Sequence, residues 1–198
     1  MPKIVDRAAR RADLALAAAT AFAERGVADT TISDIVKAAG VAQGTFYLYF
    51  DSKSDVLVAV VDQIANAMLA AIEAAVSKPG ATAVEKLLGL RDVLTGFDAD
   101  RGVVELADFI HRPENRALHD RLTEHLATRM VSLVEEIIVR GIAEGSFDVP
   151  DPHAAAWFVG AGLQSIELAG TAAADMPKAI EAATDLALRT LGYRGATS

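Results

Sequence analysis

The sequence predicts an all-α protein of about nine helices. Three observations predict it. Alanine, the best helix former, supplies 40 of the 198 residues. The two helix breakers are scarce, with 14 Gly and 6 Pro. No segment of useful length alternates apolar and polar residues with the period of a strand. An all-β fold is therefore excluded. A hydrophobic content of 52% with 23% charged residues also excludes a disordered chain.

The prolines after Pro2, at 79, 113, 150, 152 and 177, separate long Ala/Leu-rich segments. Proline is rare inside helices and common at their starts and in the turns between them. Helices are expected near 6–25, 32–39, 43–49, 53–77, 82–96, 101–111, 114–144, 152–173 and 176–191. In the first, Leu14, Ala18, Ala21 and Phe22 recur at helical spacing and should face a core. Gly26 follows at a position that favours a left-handed residue. Arg7, Arg10 and Arg11 crowd its first turns, where they are either a solvated cluster or phosphate contacts.

The informative stretch is 30–57, TTISDIVKAAGVAQGTFYLYFDSKSDVL. Thr31 and Asp34 have the form of a capping box, with Asp in place of the usual Glu or Gln. Ile35, Ala38 and Ala39 give a two-turn helix an apolar side, and Gly40 ends it. Val41 should fill the corner. A second short helix follows, with Phe46 and Phe50 four apart on its buried side. This is a helix-turn-helix layout, whose second helix enters the major groove. Gln43 can bond both polar atoms of an adenine edge, and Thr45 can offer a hydroxyl or pack on a thymine methyl. Gly44 allows close approach. Tyr47 and Tyr49 offer hydroxyls to phosphates, and Lys53 opens the next helix, where a phosphate is favoured.

From Leu14 through AFAERG (21–26), TTISDIVKAAGVAQGTFYLYF (30–50) and SKSDVL (52–57), the chain resembles the TetR family of bacterial transcriptional regulators. The resemblance implies a three-helix DNA-binding domain at 10–70, its motif at about 32–51, and an effector-binding and dimerisation domain at 71–198. It implies a homodimer on double-stranded, pseudopalindromic operator DNA, usually a repressor released by a small-molecule effector. By position, Thr31 and Ser33 match residues that touch the DNA backbone or a base. Gln43, Gly44 and Thr45 match the groove-facing start of the recognition helix, and Tyr47, Tyr49 and Lys53 match phosphate contacts. Two positions depart from the family pattern. Ala42 stands where a polar residue is common, which removes a side-chain cap. Leu48 stands where an aromatic or polar residue is common.

The remainder carries no motif of chemistry. No two of His111, His119, His125 and His153 are four apart, so no helical metal pair is expected. Carboxylate pairs such as Glu135 and Glu136 are ordinary on charged helix faces. No enzyme activity, cofactor or metal is expected. A ligand cavity between helices is, with Met68, Leu88, Arg91, Phe97, Phe109, His125, Arg129, Trp157, Gln164 and Glu167 as candidate walls. Trp157, Ala161, Leu168, Ile180, Ala187 and Leu191 are the candidate dimer residues, on the last two long helices. The helix at 53–77 is the expected lever between DNA and effector. Two other readings stay open: a DNA binder without small-molecule control, and a helical small-molecule binder without DNA function.

The net charge of −8 divides into +1 over residues 1–53 and −9 over the rest, so acidity belongs to the C-terminal part. Cysteine is absent, which excludes disulfides and thiolate chemistry. The N-terminus has no apolar stretch of a secretory signal, and the longest uncharged run, 152–166, is too short to span a bilayer. A cytoplasmic, membrane-free protein is expected.

Overall fold

A computed structural model describes residues 7–96, 109–110, 115–168, 171 and 173–195, the side chains of His125, Thr128, Glu167, Leu168 and Ala173 excepted. Among these residues it has eight α-helices and no strand. They are α1 (Arg7–Arg25), α2 (Ile32–Ala38), α3 (Gln43–Phe46), α4 (Lys53–Val76), α5 (Ala83–Gly96), α6 (Arg116–Ala143), α7 (Pro152–Leu168) and α8 (Met176–Thr190). A 3₁₀ turn at Ala173–Asp175 leads into α8. Of the segment expected at 101–111, residues 109–110 are described and helical, and the rest lies outside the described residues.

The described residues form two compact units, one drawn from 1–67 and 99–123, the other from 68–98 and 124–198. The core of the first joins Leu14, Ala18 and Phe22 of α1 with Ile35 of α2, Phe46 and Phe50, and Val56 and Val60 of α4. Ile110 is buried in it, and Phe109, Leu118 and Leu122 pack against it. The second core gathers Ile72, Leu87, Leu90, Val134, Ile137, Ile138, Phe147, Ala156 and Leu191. The helix α4 is long and apolar enough to cross a membrane by composition alone. It places Val56, Leu57, Val60 and Val61 in the first core and Ile72 and Val76 in the second.

Local chemistry sets the helix ends. Gly26 (φ +78°) and Gly40 (φ +66°) take the left-handed conformation that closes α1 and α2. A reciprocal capping box between Thr82 and Glu85 opens α5: the Thr82 N–H reaches the carboxylate at 2.8 Å, and the Glu85 N–H reaches Thr82 Oγ1 at 3.2 Å. Asp151 Oδ1 accepts the Ala154 N–H at 2.9 Å and caps α7. Near the end of α6, the Phe147 ring lies over Gly141, where a Cβ would collide with Cδ2 of that ring.

The recognition helix is shorter than the expected 43–49. The helix itself ends at Phe46, and Tyr47–Tyr49 continue as turns, with Leu48 N–H to Thr45 O at 3.2 Å, Tyr49 N–H to Phe46 O at 2.9 Å and Phe50 N–H to Phe46 O at 3.0 Å. The single turn has little local support: Ala42 provides no side-chain cap at its start, and Gly44 sits within it.

Candidate nucleic-acid interface

The corner between α2 and α3 is held from within. Thr31 is the N-cap of α2: its Oγ1 accepts the Asp34 N–H at 3.2 Å, and its own N–H bonds Asp34 Oδ2 at 2.9 Å. The Thr31 hydroxyl also donates to Asp34 Oδ2 at 2.6 Å. These bonds from the Thr31 side chain and backbone, helped by Arg25 and Lys37, hold the Asp34 carboxyl below its ordinary 3.8. After Gly40, the Val41 N–H reaches back to Val36 O at 3.0 Å and closes the turn. Val41 packs half-buried against the core, and Phe46 and Phe50 are buried with ring centroids 5.6 Å apart.

The outer surface of this corner carries the residues singled out from the sequence. Thr31, Ser33, Gln43, Gly44 and Tyr47 are exposed, and Thr45 is half-buried. Tyr49 is half-buried and packs against the core. Leu48, one of the two positions that depart from the family pattern, is 66% exposed. Two side chains differ from expectation. Lys53 was expected at a phosphate, but its ammonium donates to Val27 O at 2.8 Å, Thr30 O at 2.9 Å and Ala28 O at 3.1 Å. Its three protons are engaged by the loop between α1 and α2. It ties the start of α4 to that loop instead of pointing a free charge outward. The Thr31 hydroxyl proton is likewise given to Asp34, so its side chain stabilises α2 before it can serve a phosphate.

One contributor, Thr30, was given no role in the sequence reading, and another, Arg7, was read there only as part of a basic cluster. Thr30 is buried and donates to Gly26 O at 2.7 Å and Ala21 O at 3.1 Å, which fixes the same loop. The signal was its place between a helix-ending Gly and an N-cap. Arg7 reaches the end of the recognition segment, donating from Nη2 to Leu48 O at 3.3 Å. Of its neighbours, Arg11 lies 4.5 Å over the Phe50 ring and 3.6 Å from Asp55, and Arg10 pairs with Asp13 at 3.8 Å. Of this cluster Arg7 reaches Leu48 and Arg11 covers Phe50, while Arg10 pairs within α1.

Among the described residues, the candidate pocket residues line different spaces. Met68 and Leu88 pack against the core, and Arg91 lines a crevice of about 10 Å³ with Leu90, Leu163 and Thr184. That volume is at the threshold for a single water. Arg129 lines a separate cleft of about 330 Å³ with Lys86, Leu133 and Arg140, and it bonds Glu73 at 2.7 Å. Trp157 and Gln164 are exposed and line neither space. Phe109 belongs to the first core. Phe97 and the side chains of His125 and Glu167 lie outside the described residues.

The dimer expectation is corrected in part. Ile180, Ala187 and Leu191 were candidates for the dimer interface, but they are buried within the chain, the last two in the second core. The outward face holds Leu186, at 62% exposed. On α7, Trp157 (57%) and Phe158 (62%) are exposed, and Ala161 is exposed with them. The side chain of Leu168 is outside the described residues. Among the described residues no cluster of His, Asp and Glu could hold a metal ion.

Comparison with known proteins agrees with this geometry. The family model described as "Bacterial regulatory proteins, tetR family" matches residues 14–60. The chain is 31% identical over 130 residues to the fatty acid metabolism regulator protein of Bacillus subtilis, covering 65% of this chain and 66% of that protein. It is 29% identical over 147 residues to the HTH-type transcriptional repressor KstR2 of Rhodococcus jostii, covering 71% and 69%. The aligned stretches thus span about two thirds of these relatives. The solved structure of RolR in complex with resorcinol superposes with a TM-score of 0.62 at 25% identity, over 98% of this chain and 93% of that one. These relatives are transcriptional regulators and not enzymes. The chain belongs to the TetR family of bacterial transcriptional regulators.

Proposed function

We propose that the chain is an operator-binding repressor that reads a pseudopalindrome as a homodimer and is released by a small-molecule effector. Gln43, Gly44 and Thr45 face the groove, and Tyr47 with Ser33 reaches the backbone. The observation that carries the reading is Gly44. Its φ is not left-handed, and a Cβ added there would meet nothing within 4 Å. Neither backbone nor packing asks for glycine, and in a helix it costs about 1 kcal/mol relative to Ala. An exposed first turn stripped of its side chain leaves room for a surface that comes close from outside.

Pairing is assigned to the outward faces of α7 and α8, where Trp157, Phe158 and Leu186 stay exposed. Two-fold pairing there sets the spacing of the recognition helices and hence of the half-sites. The effector acts on the second unit. An effector seated in the second unit, where the larger of the two spaces described above is the cleft of about 330 Å³ beside Arg129, shifts the operator equilibrium only by binding the two states with different affinity. RolR, a protein of this fold, was solved with resorcinol, which supports a small-molecule ligand in general and names none for this chain.

The test is selection of bound duplexes from a random pool, followed by mobility-shift titration of the selected site. Gly44→Ala should raise the stability of the free protein by up to about 1 kcal/mol while weakening operator binding. A stabilised variant with unchanged affinity, or a pool yielding no enriched sequence, would refute the assignment.

A further inference from the structure

Three side chains of the second unit form a chain of hydrogen bonds. The His153 Nδ1 lies 2.7 Å from Glu135 Oε2, and the Trp157 Nε1–H donates to His153 Nε2 at 3.1 Å. His153 and Trp157 stand one turn apart on α7, and Glu135 comes from α6. The indole N–H is only a donor. His153 Nε2 must therefore be the bare acceptor, and Nδ1 must hold the proton that bonds Glu135. The relay exists in one tautomer of the neutral ring.

A second proton changes the two bonds in opposite directions. It turns the Glu135 contact into an ion pair. It also makes Nε2 a donor facing a donor, and it brings positive charge to the edge of the indole, with ring centroids 6.4 Å apart at 76°. Protonation thus keeps Glu135 on His153 and expels Trp157. Trp157 is exposed beside Phe158 on the face assigned above to pairing.

We propose that Glu135 and His153 are positioning residues that hold Trp157 on the pairing face, and that proton uptake by His153 releases the indole and weakens the dimer. This rests on the assignment of α7 and α8 as the pairing face. The charged groups facing His153 are Glu135 from α6 and Asp151 from the turn that caps α7. The Glu135 hydrogen bond and the charge of both carboxylates hold the imidazole above its ordinary 6.5. Indole-assisted pairing is present above that raised pKa and is lost as pH falls through it. The Glu135–His153 ion pair has the reverse sign: it stabilises the fold at low pH and fades as pH rises.

Trp157 is the single tryptophan of the chain, so its emission reports the relay directly. The 198-residue chain is titrated from about pH 9 to about pH 5, the span in which histidine changes charge, by fluorescence and by analytical ultracentrifugation. The expected result is one emission transition, with the dimer dissociation constant rising roughly tenfold across it, the worth of one hydrogen bond on each of two protomers. His153→Gln should flatten both curves, and Glu135→Gln should move the emission midpoint to lower pH. Emission that does not titrate, or that titrates unchanged in His153→Gln, overturns the relay. A dimer whose strength ignores an emission transition overturns the coupling while leaving the pairing face intact. A monomer at every pH overturns the pairing face itself.

Discussion

In the first unit the large side chains of α2 and α3 divide cleanly. Ile35, Phe46 and Phe50 go inward, and the outer surface is left to Ser33, Gln43, Gly44 and Tyr47, with Leu48 the one large apolar exception on this surface. In the second unit α7 and α8 carry apolar residues on more than one side. Ala156, Val159, Ala187 and Leu191 are buried, yet Trp157, Phe158 and Leu186 stay in water. The first surface is polar and shaped by caps and a Gly turn. The second is apolar and shaped by what the core leaves over. A polar surface with a missing side chain suits a close-fitting polar partner, whereas an exposed aromatic patch suits another protein surface.

The largest expected effect that sharpens this contrast comes from comparing two phenylalanines. Phe46→Ala removes a fully buried ring and should cost about 3–5 kcal/mol in urea unfolding of the chain, with loss of DNA binding. Phe158→Ala removes an exposed ring and should change unfolding of the single chain by no more than about 0.5 kcal/mol while weakening the dimer in ultracentrifugation. Equal stability losses in the two would erase the distinction. Next is Gly141→Ala, whose Cβ would collide with Phe147. It should lower stability by about 1–3 kcal/mol through overpacking in the second unit, read by thermal denaturation.

Lys53→Met keeps the stem and removes the ammonium from its three carbonyls. Operator affinity should fall because the loop before α2 loosens, while the dependence of log affinity on log salt keeps its slope. A phosphate contact would instead lower that slope by about 0.9 per protomer, so salt titration of the variant separates the two roles. The smallest effect is the acid limb of α2. Asp34 is held below 3.8 mainly by the Thr31 hydroxyl, so its capping contribution is present above that value and is lost as pH falls through the depressed pKa. A carboxyl titration by NMR should show Asp34 moving back up toward 3.8 in Thr31→Ala.

Features carried by a few neighbouring residues were legible from spacing alone. Thr31 with Asp34, the left-handed Gly26 and Gly40, and the pair Phe46 and Phe50 are all contacts or conformations inside one or two turns, so spacing reveals them. They were enough for the helix-turn-helix and for most of its outer surface. Features that depend on distant partners emerged only once the helices were packed. The ammonium of Lys53 finds carbonyls 23 to 26 residues away, and a lysine at a helix start reads the same whether it meets those or a phosphate. The stripe of Ile180, Ala187 and Leu191 has helical spacing but does not say which side is inward; packing turned it to the core and left Leu186 outside. Apolar periodicity reports that a face is buried, and only the neighbouring helices report whether its cover comes from the same chain or from another.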